Sequence, residues 1–210
     1  MTITAHANEL QQRLGDAIAP PPADRWNRLR AGLAERAVQE GLLDIAYAEV
    51  DSPIGTLVVA ATPSGVVRLA FDSEGRDQVL KELAARVSPR LLEAPARLDQ
   101  ARRQLEEYFD GQRTAFSLAL DWSLTGGFRR DVLAVTALIP YAHTGTYRSV
   151  ATAAGSPNAV RAAGSALATN PIPVIVPCHR VLRSDGGLGG YRGGLERKSV
   201  LLRLEGENGT

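Results

Sequence analysis

Asn170-Pro171-Ile172-Pro173-Val174-Ile175-Val176-Pro177-Cys178-His179-Arg180-Val181 carries the only cysteine of the 210-residue chain, with a histidine beside it. Val174 to Val176 is a short β-branched run, which reads as a buried strand. Pro177 cannot donate to a ladder, so the strand is expected to end there, and it biases Val176 toward an extended backbone. Cys178 then stands just past a rigid apolar strand, where a reactive atom is held still. A lone cysteine is often no more than a small buried hydrophobe. A thiol has a reference pKa of roughly 8.5, and an imidazole in reach, directly or through a water, takes its proton and favours the thiolate. Whether Cys178 and His179 face each other depends on the turn between them.

Upstream, Phe128, Val132, Val135 and Ile139 share one helical face, and Pro140 stops that helix. Thr146 is placed to cap a short helix over Tyr147 to Ala154, ended by Gly155. Ser156-Pro157 opens another, with Ser156 as cap and proline in the first turn. Two helices joined by a glycine-containing turn of this length read as a helix-turn-helix. The second helix carries Ala159, Arg161, Ala162, Ala163, Gly164, Ser165, Ala166 and Ala168. Such small side chains suit either tight helix packing or close approach to a nucleic-acid backbone. Gly164 costs about 1 kcal/mol relative to alanine in a helix interior.

Downstream, the glycine-rich run Ser184 to Gly194 lacks the spacing of a dinucleotide-binding fingerprint. It reads either as a flexible loop or as a pocket wall whose backbone lies close to a planar base. Leu195 to Leu204 reads as a C-terminal helix with Leu201, Leu202 and Leu204 inward. Glu205 follows on the same side as Leu201. A carboxylate in the last helical turn opposes the macrodipole, so helix stability does not explain it. A frayed, solvated residue is the simplest reading of Glu205 from the residues alone.

Residues 44–121 form a separate unit. Ile45 to Val50, Thr56 to Thr62 and Val66 to Phe71 read as three strands of an antiparallel meander, with turns at Asp51-Ser-Pro-Ile-Gly55 and Pro63-Ser-Gly65. Val79, Leu80, Leu83 and Val87 mark one helix. Leu98, Ala101, Leu105, Tyr108 and Phe109 mark a second, closed by Gly111. A last strand is expected over Ala115 to Leu120. Residues 1–43 read as an N-terminal extension. Pro20-Pro21-Pro22 is a stiff break, and Trp26, Leu29, Leu33 and Ala37 then form one stripe of an amphipathic helix ending at Gly41. That stripe is expected to pack on the next domain or to bind a partner.

An apolar content of 44% is ordinary for a globular protein, and no apolar run is long enough to span a bilayer. A single cysteine excludes an internal disulfide, a Cys-x-x-Cys redox pair and a multi-cysteine zinc site. No secretory signal is visible, and a reducing cytoplasm is the expected compartment. The formal net charge of +1 hides an asymmetry: residues 122–210 carry ten Lys/Arg against five Asp/Glu, and residues 1–121 carry fourteen against eighteen. A basic C-terminal half suits a nucleic-acid partner.

The Asn170–Val181 run resembles the active-site signature of the O6-alkylguanine-DNA alkyltransferases. The resemblance extends over most of residues 44–205. It is strongest from Phe128 onward and ends in Leu202-Arg203-Leu204-Glu205-Gly206, which matches the family's Leu-x-x-Glu-Gly. It implies an α/β (α+β) chain: a ribonuclease-H-like domain over 44–121, then a winged helix-turn-helix-like catalytic domain over 122–210. It implies transfer of an alkyl group from O6-alkylguanine, and from O4-alkylthymine, in DNA to Cys178, once per molecule. By the same resemblance His179 takes the thiol proton, Glu205 orients His179, Asn170 fixes the turn before the cysteine, and Tyr147 offers its phenol to a ring nitrogen of the leaving base. Arg161 matches the family's arginine finger, which replaces the extruded base in the stack. Thr146, Tyr147, Ser156, Asn158, Ala159, Val181, Gly189, Gly190, Tyr191 and Arg192 are the further DNA and base contacts it implies, with the carbonyls of Cys178 and Val181 reading the exocyclic amine. Arg192 stands where some relatives have serine, so a hydroxyl contact is lost while the backbone N–H remains.

The resemblance implies double-stranded DNA as the partner, a monomer, no membrane, and no metal or organic cofactor. The zinc site of some relatives needs cysteines that this chain lacks. Two other classes stay open: a protein that binds alkylated DNA, as a regulator, without transferring anything, and a Cys-His hydrolase. Non-transferring relatives have tryptophan in place of the cysteine, which Cys178 argues against. The hydrolase needs an oxyanion hole and turns over.

Overall fold

The structure, a computed structural model, describes residues 22–206. The first 21 residues of the 1–43 extension, including Pro20 and Pro21 of its proline break, therefore lie outside the described residues. Alternating apolar side chains over residues 45–71 build three antiparallel strands, β1 (Ile45–Val50), β2 (Leu57–Thr62) and β3 (Gly65–Phe71). The alternation sorts their side chains onto two faces. Val58, Ala60, Val67 and Ala70 face Val79 and Leu83 of helix α2 (Arg76–Arg86), with α1 (Ala23–Gln39) preceding it in the chain. Leu57, Val59, Leu69 and Phe71 face Leu105 and Tyr108 of α3 (Asp99–Phe109), and this second core runs without a break into Val132, Val176, Cys178 and Leu201. The two halves of the chain thus share one apolar interior.

Three expectations fail in this part of the fold. A fourth strand, β4 (Leu91–Glu93), joins β1 in parallel and completes the order β3-β2-β1-β4; three residues are too short to show a periodic pattern. The strand expected over Ala115 to Leu120 is reduced to a single bridge between Leu120 and Val66. The Gln104 side chain has captured the backbone N–H of Ser117 at 2.9 Å, which removes that residue from any ladder. On α1 the stripe of Trp26, Leu29 and Leu33 is 45%, 54% and 58% exposed, whereas Ala34 and Ala37 are buried. The small alanines, not the large apolar residues, allow the helix to approach the sheet.

The C-terminal part contains α4 (Gly127–Thr136), α5 (Tyr147–Ala153), α6 (Val160–Ala168) and α7 (Leu195–Leu204). A two-residue parallel pair, β5 (Gly145–Thr146) with β6 (Val181–Leu182), ties the start of α5 to the segment after Cys178. Thr146 caps α5 as its position implies: its hydroxyl accepts from the Ser149 N–H at 3.1 Å, and Ser149 Oγ accepts from the Thr146 N–H at 2.8 Å. Ser156 does not cap α6. Residues 156–159 form a turn closed by the Ala159 N–H on the Ser156 carbonyl at 2.9 Å, and the helix starts only at Val160.

The run Val174–Val176 is buried, but it is not a strand. Residues 171–176 form tight turns, with Val174 at φ +71°, and Cys178–Arg180 is a 3₁₀ turn. Prolines 171, 173 and 177 have no N–H for a ladder. The Asn170 side chain takes the place of a neighbouring strand: Oδ1 accepts from the Ile172 N–H at 3.0 Å, and Nδ2 donates to the Val176 carbonyl at 2.9 Å. The Leu69 N–H of β3 donates to the Pro171 carbonyl at 2.9 Å and pins the segment to the sheet.

Asn170→Ala removes the partners of two buried backbone groups, each worth about 1–3 kcal/mol when left unpaired. A loss of about 2–4 kcal/mol in urea unfolding is expected; a loss under about 1 kcal/mol would show that the turn holds without its side-chain partner.

Candidate active site

Cys178 sits at the start of the 3₁₀ turn with 4% of its surface exposed. Burial pushes the thiol up to about 11, against the opposing effect of a hydrogen bond from Asn170 Nδ2 to Sγ at 3.2 Å. At neutral pH the resting group is therefore a thiol, and a base must remove its proton at the moment of reaction. The Asn170 amide is already aimed at the sulfur, where it favours the anion once formed.

The adjacent residue has the chemistry of a base. His179 is wholly buried, and burial lowers its pKa, so the imidazole is neutral near pH 7. Nε2 lies 3.0 Å from Glu205 Oε1. Burial alone would raise the Glu205 carboxyl, but hydrogen bonds from His179, Arg180 and Tyr108 outweigh it and hold the pKa at about 2. An ionised carboxylate only accepts, so Nε2 carries the proton and Nδ1 keeps its lone pair. Nδ1 is buried without a protein partner. The arrangement is a base with its acceptor nitrogen free and its donor nitrogen anchored.

Glu205 is 2% exposed, so the solvated reading of this residue fails. Three side chains from two elements, His179 among them, converge on it. Tyr108 of α3 donates its hydroxyl to Oε1 at 2.6 Å. Arg180 grips both oxygens, Nε to Oε2 at 2.8 Å and Nη2 to Oε1 at 2.7 Å, while its Nη1 holds the Ile139 carbonyl at 2.6 Å. Neither residue was assigned a site role from sequence. Arg180 lay inside the signature run without a task, and Tyr108 read as one more aromatic on a core stripe. Lys198 was missed as well. It is fully buried, donates to the Val181 carbonyl at 2.6 Å and to the Leu188 carbonyl, and is lowered by burial to about 8. A signal was present: Lys198 lies on the stripe of α7 that also carries Leu201 and Leu202 and continues to Glu205.

An open cleft of about 450 Å³ lies between α5, α6 and the 183–190 segment. Thr146, Tyr147, Arg161, Gly189 and Gly190 line it. Tyr147 is raised by burial and stays a phenol, and its hydroxyl reaches the Gly190 carbonyl only at 3.5 Å, so the proton is free for a ligand. Gly189 has φ +65°, and a Cβ there would meet Tyr147 Oη at 2.5 Å, so the loop folds over the tyrosine only with glycine. Arg161 stands exposed on the outer face of α6, beside exposed Ala162, Ser165 and Ala168. Gly164 makes only ordinary contact with the Tyr147 ring, at 3.8 Å from an added Cβ, so tight packing does not explain this glycine, whereas Ala163 and Ala166 of the same helix are buried in the core.

Ser156, Asn158 and Ala159 lie in the turn before α6 and do not line the cleft. Val181 is buried, and one lone pair of its carbonyl is taken by Lys198. Tyr191 is half-buried and edge-on to His179, with ring centroids 6.4 Å apart, and the desolvation of its phenol pushes it well above 10. The Arg192 guanidinium does not face the cleft: it pairs with Glu74 at 2.6 Å, which leaves only the backbone of Arg192 as a base contact. Among the described residues no group of three His, Cys, Asp or Glu is placed to hold a metal ion.

Two family models match this chain. Residues 45–122 match the ribonuclease-like domain of 6-O-methylguanine DNA methyltransferase, and residues 127–207 match its DNA binding domain. The methylated-DNA–protein-cysteine methyltransferase of Methanosarcina barkeri is 38% identical over 162 residues, covering 77% of this chain and 98% of the relative. That of Mycolicibacterium paratuberculosis is 41% identical over 170 residues, covering 77% and 92%. Among solved structures, Mycobacterium tuberculosis OGT in complex with DNA superposes with a TM-score of 0.66 at 38% identity, covering 76% of this chain and 92% of that one.

The folded pKa of Glu205, about 2, lies below the ordinary 4.5, so its stabilisation is present above pH 4.5 and is lost as the pH falls toward 2. Glu205→Gln is expected to cost about 3–5 kcal/mol near neutrality, because Arg180 is left buried without its counter-ion. Urea unfolding of both proteins between pH 7 and pH 3 is the measurement. The gap from wild type narrows on the acid side; a gap independent of pH would remove the ionic role from Glu205.

Proposed function

The chain belongs to the 6-O-methylguanine DNA methyltransferase family, and from that membership we propose how its residues divide the work. The protein is a DNA repair methyltransferase that takes the alkyl group from O6-alkylguanine in DNA onto its own cysteine. The observation that carries the assignment to Cys178 is the relay beneath it: one buried thiol, an adjacent imidazole with a free Nδ1, and a carboxylate held ionised behind it.

In the proposed mechanism His179 Nδ1 takes the thiol proton through a water, and Glu205 stabilises the resulting imidazolium. The Cys178 thiolate attacks the alkyl carbon; the S–C bond forms as the C–O6 bond breaks, and the electron pair leaves with guanine. Tyr147 donates its phenolic proton to a ring nitrogen of the departing base and recovers one by way of the imidazolium. The product is a thioether, which thiol exchange does not cleave, so each molecule acts once. The chain has no second cysteine to relieve it. O4-alkylthymine, with the same alkyl–oxygen bond, is proposed as a second substrate.

A base in a duplex hides its O6 substituent, so the nucleotide must be extruded. Residues 122–210 are proposed as the unit that does this, with residues 44–121 as the scaffold that completes its core and residues 1–43 as an extension. The outer face of α6, with small exposed side chains around Arg161, allows close approach to the DNA, and Arg161 fills the gap in the stack. Thr146, Gly189, Gly190, Tyr191 and the backbone of Arg192 bound the base. A thiol that must stay reduced fits a reducing cytoplasm, and among the described residues no helix is long and apolar enough to cross a membrane. The binding-only alternative is not favoured, since the relatives at 38% and 41% identity are named methyltransferases.

Incubation with duplex DNA containing O6-methylguanine is expected to add about 14 Da, one methyl group, to the peptide containing Cys178, and to stop at one equivalent. The rate rises with pH, because burial holds the thiol at about 11 and the imidazole loses its base function once protonated in acid. Cys178→Ser binds the DNA and transfers nothing; multiple turnovers, or a methyl group elsewhere, would overturn the assignment.

Arg161→Ala is expected to slow repair of duplex DNA by about tenfold or more, the equivalent of about 1.4 kcal/mol of extrusion energy. Its reaction with the free alkylated base, which needs no extrusion, stays near the wild-type rate. Equal loss on both substrates would remove Arg161 from base extrusion.

A further inference from the structure

Glu74 closes the 3₁₀ turn after β3, in the N-terminal half of the chain. Its carboxylate nevertheless joins both walls that flank Cys178. On one side Arg68, 2% exposed, donates to Glu74 Oε2 at 2.5 Å and, from Nη1, to the Pro171 carbonyl at 3.1 Å. Pro171 opens the turn that Asn170 organises around the thiol. On the other side Arg192 Nε donates to the same Oε2 at 2.7 Å, and its Nη2 forms an ion pair with that oxygen at 2.6 Å. Arg192 follows Tyr191, whose ring packs edge-on to Phe71 at 5.7 Å and to His179 at 6.4 Å. The other oxygen of Glu74 accepts from the Phe71 N–H at 3.0 Å, which leaves the carboxylate no freedom to follow a moving loop.

Two guanidinium nitrogens on one carboxylate oxygen, one of them hydrogen-bonded, make a two-point contact that fixes direction as well as distance. The Glu74 side chain is shielded, 13% exposed, while Arg192 lies at the surface, so the contact is held from the Glu74 side. Of the glycine run 186–190, Gly189 and Gly190 line the cleft, and the run is held at the point where buried Lys198 donates to the Leu188 carbonyl. Beyond that point the wall is fixed from its 191–194 end. There a Cβ on Gly193 would meet the Phe71 ring at 2.9 Å, so the chain lies flat against the sheet domain.

We propose that Glu74 and Arg192 form a latch through which the N-terminal sheet sets the width of the base pocket, which makes Arg192 a specificity-determining residue and Glu74 a positioning residue. With the latch closed the wall stays against Tyr191 and admits a small alkyl group readily and a bulky one poorly. With it open the wall yields, and the bulky group gains relative to methyl. The latch rests on the alkyl-transfer reading of the site, and the two fail differently.

The test compares single-turnover transfer from duplex DNA carrying O6-methylguanine or O6-benzylguanine in the full chain. Arg192→Ser is the principal variant, because it leaves the buried Arg68–Glu74 pair intact. The benzyl-to-methyl rate ratio is expected to rise at least fivefold, with amide hydrogen exchange across 186–194 faster than in wild type. Arg192→Lys, which keeps the charge but not the two-point contact, gives an intermediate ratio. Glu74→Gln moves the ratio in the same direction, and adding Arg192→Ser to it causes little further change. A ratio within twofold of wild type in Arg192→Ser, or parallel losses on both substrates, overturns the latch. Absence of transfer by the wild-type chain overturns the alkyl-transfer reading instead.

Discussion

A carboxylate almost without water survives in a folded protein only when its lone pairs are met, and Glu205 is such a group. Tyr108 comes to it from the N-terminal half, and His179 and Arg180 from the turn after the cysteine, while Glu205 itself ends the last helix. Three remote parts of the chain are thereby held at one point. Removing Arg180 would leave the carboxylate buried without its counter-ion, and the network ties the two halves together beside the apolar core that runs between them. It also sets the chemistry, since an ionised Glu205 dictates which nitrogen of His179 carries the proton.

The same low-polarity interior explains why the nucleophile rests uncharged. Burial raises Cys178 to about 11 and lowers His179, so both groups of the pair are neutral at rest. A thiolate kept permanently would be exposed to oxidation and to adventitious alkylation, which a protein with a single irreplaceable thiol cannot reverse. In the proposed mechanism deprotonation is instead left to the moment of transfer. Asn170 serves both ends of this arrangement, because the amide that organises the turn also points at the sulfur.

On the outside, the glycine and alanine residues of α6 and the loop over Tyr147 share a physical purpose. Exposed small side chains on α6 bring a backbone close to whatever lies against it, and Gly189 lets the loop lie directly on the phenol. Neither arrangement gains stability within the protein. Gly164 has room for a side chain and a helical backbone, so its small size serves the surface and not the core.

The sequence by itself determined the three-stranded meander, the two amphipathic helices after it, the Thr146-capped helix and the C-terminal helix. Each of these is a local matter of period, cap or turn, written in neighbouring residues. It also singled out Cys178, His179, Asn170 and Glu205 through the signature run and the C-terminal Leu-x-x-Glu-Gly. Tertiary structure alone decided the rest. The β-branched run before Cys178 looks like a strand because propensity is local, but its prolines cannot join a ladder and Asn170 supplies the missing partners from six residues away. Glu205 looks solvated because nothing near it in sequence could neutralise it; its partners lie 25, 26 and 97 residues distant. Arg192 next to the base pocket and Glu74 beyond the sheet are 118 residues apart, and only the fold makes them neighbours. Period and capping are properties of adjacent residues and can be read along the chain, whereas a buried charge is defined by what surrounds it in space.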